Sequence, residues 1–162
     1  GGFGDDIEVG DVFTVDRAVE YDFDLAKLNG TRVGQLNEYD TPYLPFAGIS
    51  NLKSQISESG RISGSGQISE PGAELRGRVL ATGDHFNDSE ADYALITKEL
   101  GASLRDMEGA AIAHVCKREG VRCHAVKCVT NVAGKGSMIG QYEENTRRCL
   151  ERLSDVMKEL LG

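Results

Sequence analysis

The chain has 162 residues, 40% of them hydrophobic, 27% charged and none tryptophan, with a formal net charge of -8. One domain of that length buries a real core, and its acidic balance has the wrong sign for a nucleic-acid backbone or an anionic membrane surface. No apolar run approaches the ~20 residues of a membrane span and no basic-plus-apolar leader opens the sequence, so small molecules are the expected partners and the cytoplasm the expected location.

In chain order, Gly1-Gly2-Phe3-Gly4 reads like the inside of a loop. Val12 to Val15, β-branched or aromatic after a Gly10-Asp11 turn, give a strand within 7–24. From Leu28 to Pro45, Asn29-Gly30, Asn37, Asp40 and the two prolines Pro42 and Pro45 punctuate the chain so often that loop with short extended pieces is expected. Residues 49–75 are atypical: Ile-Ser recurs at 56, 62 and 68 among glycines and serines, and a flexible or hairpin-like excursion without function explains it.

Beyond that segment the pattern alternates as βαβ units do. Arg78–Thr82 reads as a strand and Gly83–Asp88 as the loop at its end; Ser89–Leu100 reads as a helix capped by Asn87 or Asp88 and ended by Gly101. A strand then hands over to a small-residue helix at Asp106-Met107-Glu108-Gly109-Ala110-Ala111, with Asp106 as N-cap, Glu108 in the first turn and Gly120 as stop. Arg122–Val129 is β-rich and ends in Thr130-Asn131. Residues 143–161 carry Leu150, Leu153, Val156, Met157, Leu160 and Leu161 at helical spacing, an apolar stripe expected to pack on the sheet. The fold class is α/β, a mixed central sheet flanked by helices. Cys116, Cys123, Cys128 and Cys149 lack CxxC spacing and a His cluster, which argues against zinc and suits free thiols.

Three strand ends offer polar groups: Asp84-His85-Phe86-Asn87, Met107-Glu108 and Thr130-Asn131. In an α/β sheet such ends can share one crevice. Phe86 can stack on a flat base, Glu108 can accept the hydroxyl protons of a ribose, and Asn131 can hydrogen-bond a ring nitrogen. Glu108 could equally just complement a helix dipole, and His85 is either a general acid–base or an incidental loop residue. Neither a GxxxxGK[ST] loop, nor GxGxxG after a strand, nor a Gly-x-Ser-x-Gly elbow is present, which disfavours NTPase, dinucleotide and hydrolase-elbow chemistry.

Gly10-Asp11-Val12, Thr82-Gly83-Asp84-His85-Phe86, Asp106 to Ala113 and Val129 to Ala133 together resemble the purine nucleoside phosphorylase and nucleosidase family, nearest its methylthioadenosine/S-adenosylhomocysteine nucleosidase branch. The resemblance covers the chain as one domain, 1–162, outside 49–75. It implies a three-layer nucleoside phosphorylase-like fold, incomplete here, and cleavage of the N-glycosidic bond of a purine nucleoside. It implies that Phe86 stacks on the purine, the backbone of Asn87 meets the base edge, Met107 lies under the ribose, Glu108 holds its hydroxyls, and Gly1 and Gly2 end a loop near the ribose. It implies no cofactor or metal, inorganic phosphate as a co-substrate in the phosphorylase form, and a homo-oligomer in which the Tyr21–Gln35 region reaches a neighbouring subunit.

Two departures qualify the match. Asn131 stands where the nucleosidases place an Asp that protonates N7 of the leaving base, and Asn can only donate a hydrogen bond; some relatives acting on 6-oxopurines do use Asn. The family's water-activating Glu, its first strands and much of its phosphate site fall upstream of Gly1. A non-catalytic nucleoside-binding or storage relative is therefore the alternative.

Overall fold

The structure is a computed structural model and describes residues 1–49, 77–86 and 89–161. The atypical segment, apart from Ile49, and Asn87 and Asp88 lie outside the described residues. The elements in order are β1 (Val12–Glu20), α1 (Ala26–Asn29), β2 (Leu44–Pro45), β3 (Gly77–Thr82), α2 (Glu90–Ala94, continued by a π-helical turn Leu95–Glu99), β4 (Leu104–Asp106), α3 (Gly109–Arg118), β5 (Val126–Cys128) and α4 (Met138–Leu161).

The sheet is mixed. β1, β3 and β4 run parallel in that order, while β2 and β5 pair antiparallel with β1. Alternating side chains divide the core between the two faces. Ala18 and Leu80 join Ala110 and Ala113 of α3 on one face, whereas their neighbours Val19 and Ala81 join Ile96 and Leu100 on the other. Leu80, Leu104 and Ile96 are fully buried, each worth about 1.5–3 kcal/mol of transfer free energy. Their positions fix α3 and α2 as the outer layers.

The first residues are not a loop. Gly2 bridges Leu104 antiparallel and Val132 in parallel; Arg105 N–H donates to the Gly1 carbonyl at 2.8 Å and Ala133 N–H to the Gly2 carbonyl at 3.0 Å. Val129 in turn exchanges backbone bonds with Gly10 and Asp11, just before β1. Hydrogen bonding therefore runs in a closed circuit: β1, β3, β4, residues 1–3, residues 131–133, β5 and back to β1. Gly2 suits this slot because a Cβ there would stand 2.6 Å from Ile7 Cγ2.

Several boundaries differ from expectation. The cap of α2 is Ser89, whose Oγ accepts from Asp92 N–H at 3.3 Å, not Asn87 or Asp88. β5 is only three residues long, so Asn131 lies beyond a strand end and is held by the Gly2 bridge. α4 starts at Met138, five positions before 143, because Ser137 Oγ accepts from Gly140 N–H. Its buried line runs through Met138, Cys149 and Leu160, eleven residues apart, leaving Leu150 61% and Leu161 49% exposed. Of the expected stripe, Leu160 is buried and Leu153 and Val156 are half-buried on that side, while Leu150 and Leu161, each one residue or about 100° further round, turn outward.

Candidate active site

The parallel pairing of β3 with β4 places Thr82 beside Asp106, so the loops after these strands leave the sheet side by side. Asp106 is the anchor of the second loop. Its Oδ1 accepts from Thr82 Oγ1 at 2.6 Å, and its Oδ2 accepts from Gly109 N–H at 3.0 Å and from Lys127 Nζ at 2.5 Å. Thr82 Oγ1 also accepts from Ala110 N–H at 2.9 Å. Asp106 thus satisfies a first-turn donor of α3 from three residues before it, and Glu108 occupies the N-cap position rather than the first turn. Gly109 permits the close approach: a Cβ would stand 2.5 Å from Leu80 and 2.8 Å from Asp106 Oδ2.

Met107 and Glu108 are the two residues between these fixed points. Met107 is 41% exposed, and Glu108 is exposed with its carboxylate bonded to no described side chain. An uncommitted acceptor pair at a helix N-terminus is suited to neighbouring hydroxyl protons.

The first loop is pinned at Gly83, whose N–H donates to the Asp106 carbonyl, and at Asp84, whose N–H donates to Asp22 Oδ2 at 2.7 Å. Tyr21 OH reaches the His85 carbonyl at 3.4 Å, and burial raises that phenol above its ordinary range, keeping it a neutral donor. His85 itself turns outward, its Nδ1 3.8 Å from Asp92. Phe86 meets Tyr142 of α4 edge to face, ring centroids 5.6 Å apart, and both rings are nearly half exposed. Tyr142 was hidden in sequence among the polar positions of an amphipathic helix; a lone aromatic on that face was the available signal. Asn87 lies outside the described residues.

Asn131 is buried. Gly2 N–H donates to its carbonyl at 2.8 Å, Thr130 Oγ1 donates to its side-chain Oδ1 at 2.9 Å, and its Nδ2 faces Gly1, where a Cβ would stand 2.9 Å away. The helix α4 holds the same segment through side-chain amides. Gln141 takes both backbone groups of Val132, and Asn145 donates to the Thr130 carbonyl. Beside Gly1, the buried Arg105 donates to Met138 Sδ at 3.2 Å and lies over the Phe3 ring. Gly1, Asn131, Arg105 and the ends of β3 and β4 are thereby one hydrogen-bonded unit, with Glu108 and Phe86 on the loops leaving it.

Two surface hollows lie elsewhere, one lined by Ser154, Met157, Lys158 and Leu161 and the other by Ile49, His124, Val126, Leu153, Met157 and Leu160. Neither contains a site residue; both are apolar grooves along the end of α4. Among the described residues no group of three or more His, Cys, Asp or Glu could hold a metal ion, and no helix is long and apolar enough to cross a membrane.

Comparison with known proteins places this arrangement. The chain is 27% identical over 135 residues to the aminodeoxyfutalosine nucleosidase of Campylobacter jejuni, covering 83% of this chain and 54% of that protein. It is 27% identical over 161 residues to the 5'-methylthioadenosine/S-adenosylhomocysteine nucleosidase of Thermotoga maritima, covering 94% of this chain and 61% of that one. In fold it superposes on the Helicobacter pylori 5'-methylthioadenosine/S-adenosyl homocysteine nucleosidase with a TM-score of 0.78 at 22% identity, covering 99% of this chain and 64% of the other. The chain thus spans between half and two thirds of the length of these relatives. The family model described as "Phosphorylase superfamily" matches residues 1–162, and with the mixed sheet and flanking helices already described, the chain belongs to that superfamily.

Proposed function

We propose that the protein cleaves the N-glycosidic bond of a purine nucleoside, giving free base and ribose or ribose 1-phosphate. The observation that carries this reading is the hydrogen-bonded union of three chain segments, with the Phe86–Tyr142 rings, the uncommitted Glu108 carboxylate and the Asn131 amide at their ends. Names of relatives from both the aminodeoxyfutalosine and the methylthioadenosine nucleosidases support it. Cleavage builds positive charge on the sugar and negative charge on the base. Glu108 holds the sugar hydroxyls and stabilises the first; Asn131 donates to the leaving base and stabilises the second. Met107 lies under the sugar, Gly1 beside it, and Asn87 at the base edge. The reading calls for no cofactor, and inorganic phosphate is a co-substrate in the phosphorylase form. A cytoplasmic homo-oligomer is part of the same reading.

The test is chromatographic detection of free base after incubation with inosine, guanosine, adenosine or methylthioadenosine, with and without phosphate. Release from at least one is expected; release from none sinks the proposal. A second reading, a nucleoside binder without turnover, is favoured by Asn131, whose amide cannot transfer a proton. Calorimetric binding without base release would select it.

A further inference from the structure

Two carboxylates flank Met107, and the structure treats them oppositely. Glu108 is uncommitted, whereas Asp106 accepts from Thr82 Oγ1, Gly109 N–H and Lys127 Nζ. Lys127 is the unusual member of this set. It belongs to β5, which pairs with β1 and not with β4, yet its ammonium lies 2.5 Å from Asp106, with the two side chains 31% and 10% exposed. Four residues further along its own strand direction stands Asn131. The Lys127–Asp106 contact is therefore an ionic link between the segment that leads to the base-facing amide and the segment that leads to the sugar-facing carboxylate.

Stability alone is a poor account of such a link. A shielded ion pair offsets its desolvation with little to spare, and apolar side chains of the same size commonly serve as well. The fold is already closed at this level by the backbone circuit through Gly1 to Phe3. What the pair adds is registry, since Asp106 is held at both oxygens and passes that constraint through Gly109 and Ala110 to the start of α3. Glu108 lies between the held points.

We infer that Lys127, acting through Asp106, is a positioning residue that sets the spacing between Glu108 and Asn131. Thr82 serves the same purpose from the other carboxylate oxygen. The inference rests on the nucleoside reading of the site and adds to it a residue that touches neither sugar nor base. Binding of a molecule that needs both ends at once, a nucleoside, depends on the link; binding of a free purine base does not.

The experiment is calorimetric titration of the wild-type protein and of Lys127→Met and Lys127→Arg with inosine or adenosine, and separately with hypoxanthine or adenine. Lys127→Met is expected to weaken nucleoside binding about tenfold, the size of one charge-assisted hydrogen bond, with free-base binding unchanged. Lys127→Arg should recover most of the loss, which a general loss of stability would not allow. Native-state hydrogen exchange gives a readout independent of any ligand: the Gly109 amide should exchange faster in Lys127→Met. Should that variant fail to fold, Thr82→Val carries the same expectations. Unchanged nucleoside affinity in the folded variant, or equal losses for nucleoside and base, overturns the inference and leaves the functional reading standing. A wild-type protein that binds no nucleoside, while its Gly109 amide responds as described, overturns the functional reading and with it the role assigned to Lys127.

Discussion

Asp106→Asn and Glu108→Gln remove the same charge on either side of Met107, and the structure predicts opposite consequences. The Asp106 side chain is 10% exposed and holds an ammonium at 2.5 Å, a hydroxyl and a backbone N–H. Breaking a buried pair costs about 3–5 kcal/mol; because Lys127 is 31% exposed and recovers some hydration, about 2–4 kcal/mol is the reasoned figure here. Glu108 loses only its favourable placement at the start of α3, about 0.3–1 kcal/mol. With a urea m-value of about 2 kcal/mol/M, the Asp106 variant should unfold at a midpoint about 1–2 M lower than wild type. The Glu108 variant should shift by less than about 0.5 M. Nucleoside binding should invert the order of cause: Glu108→Gln weakens it by about 1.5–3 kcal/mol while remaining as folded as the wild type. A Glu108 variant that loses as much stability as the Asp106 variant would refute the division of labour between the two carboxylates.

Phe86→Ala and Tyr142→Ala should each reduce purine-base affinity by about 1 kcal/mol in calorimetry, with little change in the urea midpoint because both rings are nearly half exposed. Tyr142→Phe, which keeps the ring, should match wild type. Asn131→Asp should raise release of adenine from adenosine or methylthioadenosine, since an acid can then protonate the leaving base; no gain in an otherwise folded variant counts against Asn131 at the base. Burial, reinforced by its contact with Cys149, pushes the Cys128 thiol up to about 12 from an ordinary 9.0. The folded chain therefore holds that proton where the unfolded chain gives it up, so stability should fall as pH rises from 9.0 toward 12. A wild-type midpoint more alkali-sensitive than that of Cys128→Ala would bear this out, and equal sensitivity would contradict it.

Local pattern made much of the fold legible. β-Branched runs marked β1 and β3, Gly101 and Gly120 marked helix ends with positive φ, and the small residues after Glu108 marked the helix that packs against Leu80. What it left unread were contacts between distant segments. Gly1 and Gly2 carry no side chains to alternate, so nothing in their neighbourhood announces a sheet position between β4 and residues 131–133. Lys127 looked like an ordinary strand residue because its partner, Asp106, is set by tertiary pairing. The helix α4 was recognisable, but only part of its buried line was. Leu153, Val156 and Leu160 of the apolar stripe do turn inward, whereas Met138 and Cys149, buried with them, stand outside the stripe. At the site, residue type pointed to Phe86, Glu108 and Asn131, and only packing revealed Tyr142.

The closed circuit has a consequence for how the chain is made. The Gly1 nitrogen bonds to the Arg105 carbonyl across 104 residues, and Gly2 also needs Val132. At synthesis rates of 5–20 residues per second, a segment such as Phe3 therefore waits on the order of ten seconds for its last partner. Until residues 131–133 are made, the outer edge of residues 1–3 has unpaired N–H and C=O groups, the template on which chains pair with one another. Long-range closure of this kind is also intrinsically slow. Yield of correctly folded protein should therefore be governed by growth temperature and chaperone supply more than by the stability of the finished fold.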